Sequence, residues 1–376
     1  MKYSIIVPVY NRPDEVEELL ESLCQQTLKD FEVLIVEDGS QRDCKSVTEK
    51  FIGRLEVKYF MKPNSGPGQS RNYGAERASG EWLIILDSDV VLPEGYLEAV
   101  DREIRGYGGT EVRGYEKCSE DESNLAPPYH RTTVPPIVAF GGPDASHPSF
   151  TPVQKAISYS MTSFFTTGGI RGGKAKLDKF YPRSFNMGIR RDVYQQLGGF
   201  TKMRFGEDID FSYRIVEAGY RPRLFPEAWV WHKRRTDFKK FFRQVYNSGI
   251  ARINLEKRHP GTMKLVHLLP TVFTVGVIAL ILAGAFGRIM MVYGNQADFR
   301  LWYWVVVAAL APIVLYSILI VIDSTRKNRS LKVGLLSVPA AFVQLMGYGL
   351  GFIESWWKRC VLKKDEFQAF EKTFYK

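Results

Sequence analysis

The chain has 376 residues, 45% of them hydrophobic and 24% charged, a balance that excludes both a disordered chain and one wholly embedded in a membrane. Its net charge of +10 is unevenly placed: residues 1–230 hold 29 Lys and Arg against 33 Asp and Glu, residues 231–264 hold 10 against 2, and residues 265–376 hold 12 against 6. The basic excess begins where a strongly apolar region is about to start, which fits an anionic lipid surface and argues against nucleic acid as a partner.

The run MKYSIIVPVY has only three consecutive apolar residues, Ile5 to Val7, before Pro8, too short for a signal-peptide core. The front part is therefore expected to stay on the side where it is made. YSIIVPVY, FEVLIVED, LEVKYF and EWLIILDSD are buried-type strands, separated by the helical spacing of RPDEVEELLESLCQQ and by RNYGAERA. Such an alternation implies an α/β fold with a mainly parallel sheet covered by helices, a nucleotide-binding, Rossmann-like arrangement with ligands at the carboxyl ends of the strands. Three of those ends carry useful chemistry: Tyr10 and Asn11, then Glu37, Asp38 and Gly39, then Asp87 and Asp89. Cys24, Cys44, Cys118 and Cys360 are widely spaced, without a C-x-x-C pair, and read as reduced thiols.

From Gly106 to Tyr181 the density of Pro and Gly reads as loops around a cleft. FGEDIDFSYRIVEAGYRP restores a helix, with Asp210 and Arg214 spaced to pair and Gly219 as its stop. Residues 236–264 form a basic segment with the character of an amphipathic interface helix, its Phe238, Phe241, Phe242 and Tyr246 turned toward lipid or, alternatively, packed against the catalytic domain. Apolar stretches follow at 265–287, 301–322 and 333–353, each long enough to cross a bilayer. The first two contain no Asp, Glu, Lys or Arg; the third carries Gln344, Pro339 and four glycines, and can span, re-enter or lie at the interface. Basic flanks place the start of the first span and the end of the second inside, with the connection from Arg288 to Arg300 outside, giving a multi-pass cell-membrane protein with a cytoplasmic front domain. A third crossing would put the basic tail, 354–376, outside, against the same rule.

In a strand, residues i and i+2 face the same way, so Asp87 and Asp89 can address one point beyond the sheet. Their natural guest is Mg2+ or Mn2+ bridging to phosphate oxygens. An Asx turn or helix cap is the alternative for an isolated D-x-D.

SIIVPVYNR, VLIVEDGS, NSGPGQSRNYG, LDSD and GEDIDFSYRIVEAGY, in this order, resemble the family 2 glycosyltransferases, whose nucleotide-sugar-binding fold is called GT-A. The resemblance covers roughly residues 3–235 and implies a GT-A-like catalytic domain over 1–235, with a nucleotide-sugar-binding half (1–105) and an acceptor-side half (106–235), followed by a C-terminal helical membrane region. It implies that Pro8 and Tyr10 pack beside the base, that Asp38 bonds its edge, and that Arg71 and Asp87 lie near the nucleotide. Where the family usually has two aspartates this chain has Glu37 and Asp38. The resemblance makes Asp208 the general base, with Glu207 its neighbour and competitor, adds His232 to Asp87 and Asp89 at the metal, and puts Asn186 on the acceptor side. Each has a plain alternative: a capping carboxylate for Asp208, a surface Arg for Arg71, a surface His for His232 and a turn Asn for Asn186.

The implied reaction is inverting transfer from a nucleotide-sugar donor to a hydroxyl acceptor, lipid-linked or a membrane-presented glycan, with membrane lipids as partners. The processive Q-x-x-R-W motif is broken, since Gln244 is followed by Val245, Tyr246, Asn247 and Ser248, which favours transfer of a single sugar. Two alternatives compete: a sugar-1-phosphate nucleotidyltransferase, which would need a glycine-rich loop where this chain has PVYNRPDE, and a non-catalytic membrane-anchored nucleotide-sugar-binding protein.

Overall fold

The structure is a computed structural model that describes residues 1–107, 137–167, 180–203, 205–295, 298–367 and 369. In chain order it contains β1 Tyr3–Val9, α1 Pro13–Cys24, β2 Phe31–Asp38, α2 Lys45–Glu49, β3 Val57–Lys62, α3 Pro67–Ala75, β4 Trp82–Leu86, β5 Val90–Val91, α4 Tyr96–Tyr107, β6 Ala139–Gly141 and β7 Asp144–Ala145. There follow α5 Pro152–Thr162, α6 Phe164–Thr167, β8 Asn186–Arg190, α7 Arg191–Gln196, α8 Glu207–Glu217, β9 Arg223–Leu224, β10 Val230–His232, α9 Phe238–Arg258, α10 Leu269–Tyr293, α11 Phe299–Asn328 and α12 Leu331–Trp356. Two compact units result: Met1–Ala145 with Asp178–Lys202 and Phe211–His232, and Ser146–Leu177 with Met203–Asp210 and Lys233–Lys376. Residues 146–167 and 205–210 fall in the unit of the C-terminal helices.

The first unit is built on a seven-stranded sheet of order β3-β2-β1-β4-β8-β6-β9. β1 runs parallel to β2 and β4, and β2 parallel to β3, while β8 is antiparallel to both β4 and β6. Alternation of side chains along each strand divides the core between the two faces. Ile5, Val7, Val33, Ile35, Ile84 and Leu86 pack on one face; Ile6, Leu34, Leu83, Ile85, Met187 and Phe211 pack on the other. A small sheet, β5-β10-β7, lies beyond the end of β4. α3 begins four residues before Arg71, where the helix was expected, because Gly66 at φ 92° turns the chain and Pro67 pre-sets the first helical position. Gly219 ends α8 as expected, with φ 88°.

The expectation of loops alone between 106 and 181 is corrected among the described residues by β6, β7, α5 and α6. α5 starts on a capping box: Gln154 N donates to Thr151 Oγ1 at 3.3 Å, and Thr151 N donates to Gln154 Oε1 at 3.1 Å. The prolines that suggested a loop sit at or before its first turn.

In the second unit, the helices spanning Leu265–Tyr293, Phe299–Asn328 and Leu331–Val361 are long and apolar enough to cross a membrane. α10 and α11 expose large apolar side chains, among them Val272, Leu282, Phe286, Val314 and Leu315. The lipid-facing alternative for α9 is corrected: Phe241 is fully buried with Ile157, Met161 and Val245, and Phe238 packs against the same cluster. α5 covers that face of α9, so the aromatics are spent on helix packing.

Candidate functional site

The candidate site is built at the carboxyl ends of β1, β2 and β4. β4 is buried along all five residues and stops at Leu86, so Asp87 is the first residue free of the sheet. Asp89 follows directly before β5, which pairs antiparallel with β10 so that Val90 lies opposite His232. This pairing, between residues far apart in sequence, is what brings the imidazole to the two carboxylates. Among the described residues, one oxygen each of Asp87 and Asp89 and one ring nitrogen of His232 all lie within 4.8 Å of one another. His232 Nε2 is 3.3 Å from Asp89 Oδ1. The ring stacks on Phe185, with centroids 4.9 Å apart, and its buried Nδ1 has no hydrogen-bond partner among the described residues, so the polar edge turned to Asp89 carries the ring's chemistry. Two hard oxygens and a borderline nitrogen fit Mn2+ or Mg2+ with room left for phosphate oxygens.

Two arginines compensate the carboxylates. Arg71 Nη2 donates to Asp87 Oδ1 at 2.8 Å, and Arg12 Nη1 donates to Asp89 Oδ2 at 2.9 Å. Arg71 is not the surface residue of the alternative reading: it is buried, with its guanidinium 5.2 Å from the centroid of the Phe200 ring. Arg12 was missed by sequence reasoning, although it lies inside the SIIVPVYNR motif; no local signal tells that it reaches a residue 77 positions away. It is aimed by Asn11, whose φ of 56° is a conformation that Asn tolerates. Asn11 Oδ1 accepts from Gln41 N at 2.8 Å and Arg42 N at 3.0 Å, and its own N–H donates to Ser40 Oγ at 2.7 Å, tying the end of β1 to the end of β2. Pro8 and Tyr10, on the same strand end, are half-buried and keep a face toward solvent.

Glu37 and Asp38 do different work from each other. Glu37 is fully buried; it accepts from Ser40 Oγ and, at 2.9 and 2.8 Å, from Cys44 N and Sγ. Burial, reinforced by this carboxylate, pushes the Cys44 thiol well up, which keeps it protonated and donating. Asp38 accepts from Ser65 N and Gly66 N at 2.9 Å each and pairs with Lys62. Both of its oxygens are thus engaged in shaping the loop into α3, and a contact to a base edge would have to compete with those bonds.

Asn186 lies on β8 with its side chain wholly buried: its Nδ2 donates to Ala228 O at 2.7 Å, and its Oδ1 accepts from Tyr96 Oη at 2.6 Å. Burial pushes the Tyr96 phenol up, so it stays a donor. The amide is consumed in joining β8 to α4 and to the segment before β10, which is a role in the fold and not the turn of the alternative reading.

Glu207 and Asp208 open α8 in the second unit, both buried, and Ile209 N donates to Asp208 Oδ1 at 2.9 Å. Gly206, at φ 85°, sets the turn before them. Asp210 accepts from His259 Nε2 at 3.0 Å, while Arg214 donates to Leu197 O and Gly199 O at 2.7 and 2.6 Å. Both side chains thus also reach beyond the helix.

The family described as "Glycosyl transferase family 2" matches residues 4–124, and "Glycosyl transferase family group 2" matches residues 184–320. The chain is 26% identical over 267 residues to a pre-mycofactocin glycosyltransferase of Mycobacterium tuberculosis, a match covering 68% of this chain and 48% of that protein. It is 36% identical over 102 residues to a GalNAc(5)-diNAcBac-PP-undecaprenol beta-1,3-glucosyltransferase of Campylobacter jejuni, covering 26% of this chain and 33% of that protein. The chain thus spans about half or less of the length of these curated relatives. In fold it is similar to a mannosyltransferase from Pyrobaculum calidifontis solved with GDP-Man and Mn2+, with a TM-score of 0.53 at 16% identity over 90% of this chain and 85% of that one.

Proposed function

Because the chain belongs to the family 2 glycosyltransferases, we propose that it transfers one sugar from a nucleotide-diphosphate sugar to a hydroxyl acceptor presented at a membrane, with inversion at the anomeric carbon. The observation that carries this reading is the convergence of Asp87, Asp89 and His232 beyond one strand end, beside Arg12 and Arg71. Asp87, Asp89 and His232 would hold Mg2+ or Mn2+, which supplies, when bound, neutralisation of the charge that develops on the departing diphosphate.

Pro8 and Tyr10 offer the half-exposed surface against which a base packs, and Asp38 fixes the loop that borders it. Arg71, buried and rigid, orients the diphosphate as well as Asp87. Asp208 takes the proton of the acceptor hydroxyl as its oxygen bonds to the anomeric carbon. The bond from that carbon to the diphosphate breaks on the opposite face, the nucleoside diphosphate leaves with the electron pair, and Asp208 returns the proton to solvent. Glu207 is its neighbour on the acceptor side.

A lipid-linked acceptor is supported by the printed name of the Campylobacter relative and by three helices apolar enough to cross a bilayer. The basic segment 231–264 supports a cytoplasmic placement of α9. The test is a donor panel: the purified full chain, Mn2+ or Mg2+, several nucleotide sugars and a lipid-phosphate acceptor, following release of nucleoside diphosphate. One donor should turn over, with loss on Asp87→Asn. Turnover of no donor, or an Asp87→Asn variant that behaves as the parent, would sink the reading.

A further inference from the structure

α10 and α11 pair as an antiparallel hairpin along their distal parts. Gly284 lies against Ala309 and Leu310, Gly287 against Val305 and Val306, and Phe286 crosses Trp302 with centroids 5.5 Å apart. α12 joins this hairpin at its other end. On α11 its contacts fall on residues 316–325: Gly334 abuts Thr325, Ser337 shares a hydrogen bond of 2.7 Å with Ser324, and Phe342 meets Tyr316 with centroids 5.8 Å apart. On α10 they fall on residues 270–274: Phe342 meets Phe273 at 5.7 Å, Thr274 Oγ1 donates to Leu345 O at 3.4 Å, and Gly349 sits against Pro270 O and Thr274.

From residue 342 onward α12 therefore advances toward the start of α10 and not along it. Its later half is covered instead by α9: Gly347 lies against Val245, Gly249 against Tyr348 O, Gly351 against Tyr246 O, and Ser355 Oγ donates to Ile250 O at 3.3 Å. Its first half is covered by α5, through Ala156 with Val333 and Ala340, and Tyr159 with Ala341. α9 carries Lys239, Lys240, Arg243, Arg252, Lys257 and Arg258, charges that a hydrocarbon interior does not accept. Accordingly 44% of the apolar window of α12 is buried within the chain, against 11% for α10 and α11.

We propose that α12 does not cross the bilayer but lies along its surface on the side of α9, so that the described residues make two crossings, α10 and α11, and residues 358–369 stay on α9's side. The partner of this surface is an anionic leaflet. Leu331 and Leu335 face outward along α12, and Trp356 and Trp357 are exposed at its end, the residue type that settles at headgroup depth. Lys358, Arg359, Lys363 and Lys364 then join the basic excess of 231–264 on one side. The segment after α12 is physically fastened to α9: Arg258 Nη2 is 2.7 Å from Glu366 Oε2, and Ala369 N donates to Asn247 Oδ1 at 3.0 Å. A 26-residue helix, about 39 Å long, could have spanned; its neighbours are what turn it into the plane. The inference goes beyond the transfer reaction and rests only on α10 and α11 crossing the bilayer.

Cys360 is exposed and native, and makes the test direct. In the full chain carrying Cys24→Ser and Cys118→Ser, with the buried Cys44 kept, a membrane-impermeant maleimide should reach Cys360 in the same vesicle orientation that exposes Lys257→Cys. Asn295→Cys, between α10 and α11, should be labelled in the opposite orientation. Labelling of Cys360 together with Asn295→Cys would establish a third crossing and overturn the proposal. Spin labels at Leu335→Cys, Met346→Cys and Ile353→Cys should report similar shallow depths from oxygen and nickel-chelate accessibility. A depth profile passing through the bilayer centre at Met346 would overturn it independently.

Discussion

Arg12 Nη1 lies 2.9 Å from Asp89 Oδ2, so one ligand of the candidate metal site is already neutralised by a cation from the end of another strand. Arg71 does the same for Asp87 at 2.8 Å. Arg12 also lies 3.7 Å from Glu15 Oε1, and with both ligand carboxylates already paired to a guanidinium a bare dication entering this site meets a weakened attraction. A nucleoside diphosphate brings further negative charge and gives Arg12 another anion to bond. Arg12→Gln is therefore expected to bind Mn2+ alone more tightly, by about threefold to tenfold, and to lose much of the extra affinity that a nucleoside diphosphate confers in the parent. Mn2+ binding followed by electron paramagnetic resonance, with and without UDP or GDP, reads both. Weaker binding of Mn2+ alone would mean that Arg12 only shapes the loop.

Asp208 separates binding from chemistry. Its carboxylate lies in the first turn of α8. Asp208→Asn keeps the shape and the hydrogen bond from Ile209 N but cannot take a proton. Transfer should fall by about 10²- to 10⁴-fold, with nucleoside diphosphate affinity nearly unchanged. Loss of both together would identify a helix cap, and an equal loss in Glu207→Gln would move the base by one residue.

The strand ends were legible because buried parallel strands have a plain signature, an apolar run closed by polar residues, as in VLIVED and LIILDSD. Asp87, Asp89 and Tyr10 could thus be placed from the chain alone. What the runs do not encode is what reaches them from afar. Arg12 to Asp89 and Tyr96 to Asn186 are pairings across 77 and 90 residues, set by the sheet order and invisible to local spacing. α5 was hidden for a different reason: its sequence is flanked by Pro and Gly, and its helix is secured by the Thr151 capping box and by packing on α9. The lipid-facing alternative for α9 failed likewise, since amphipathicity shows which face is apolar and not whether lipid or protein covers it.

Glu32 offers a pH test of the first unit. Burial pushes its carboxyl up, but hydrogen bonds from Lys58, Ser4 and Ser79 outweigh this and bring it down to about 2 from a usual 4.5. A lowered folded-state value means that the stabilisation is fully present above the usual value and is lost as pH falls from about 4.5 toward 2. Glu32→Gln should cost on the order of 2–3 kcal/mol at neutral pH. Parent and variant should converge in acid. Denaturant melts of the full chain in detergent at pH 7, 5 and 3.5 check this; a gap that stays constant with pH would show that lost packing, and not the charge, is responsible.

The contact of α9 with α12 depends on glycine at the crossing. A Cβ on Gly249 would lie 2.1 Å from Tyr348 O and 2.7 Å from Phe352 N, both backbone atoms that cannot rotate away. Gly276 on α10 has nothing among the described residues within 4 Å of the same position. By propensity alone, Ala is favoured over Gly in a helix by about 1 kcal/mol, so both substitutions would stabilise if the helices were independent. At Gly249 the close approach must open, an overpacking cost of about 1–3 kcal/mol or more that outweighs the propensity gain. Gly249→Ala should therefore lower the melting midpoint of the detergent-solubilised full chain, while Gly276→Ala leaves it unchanged or raises it. Opening α9 from α12 should also weaken the hold of α9 on residue 369, since Asn247 lies two residues from Gly249 and bonds Ala369 in both directions. Faster amide exchange around residues 366–369 in Gly249→Ala, and parental exchange in Gly276→Ala, would tie the loss of stability to that one crossing; parental exchange in both would place it elsewhere.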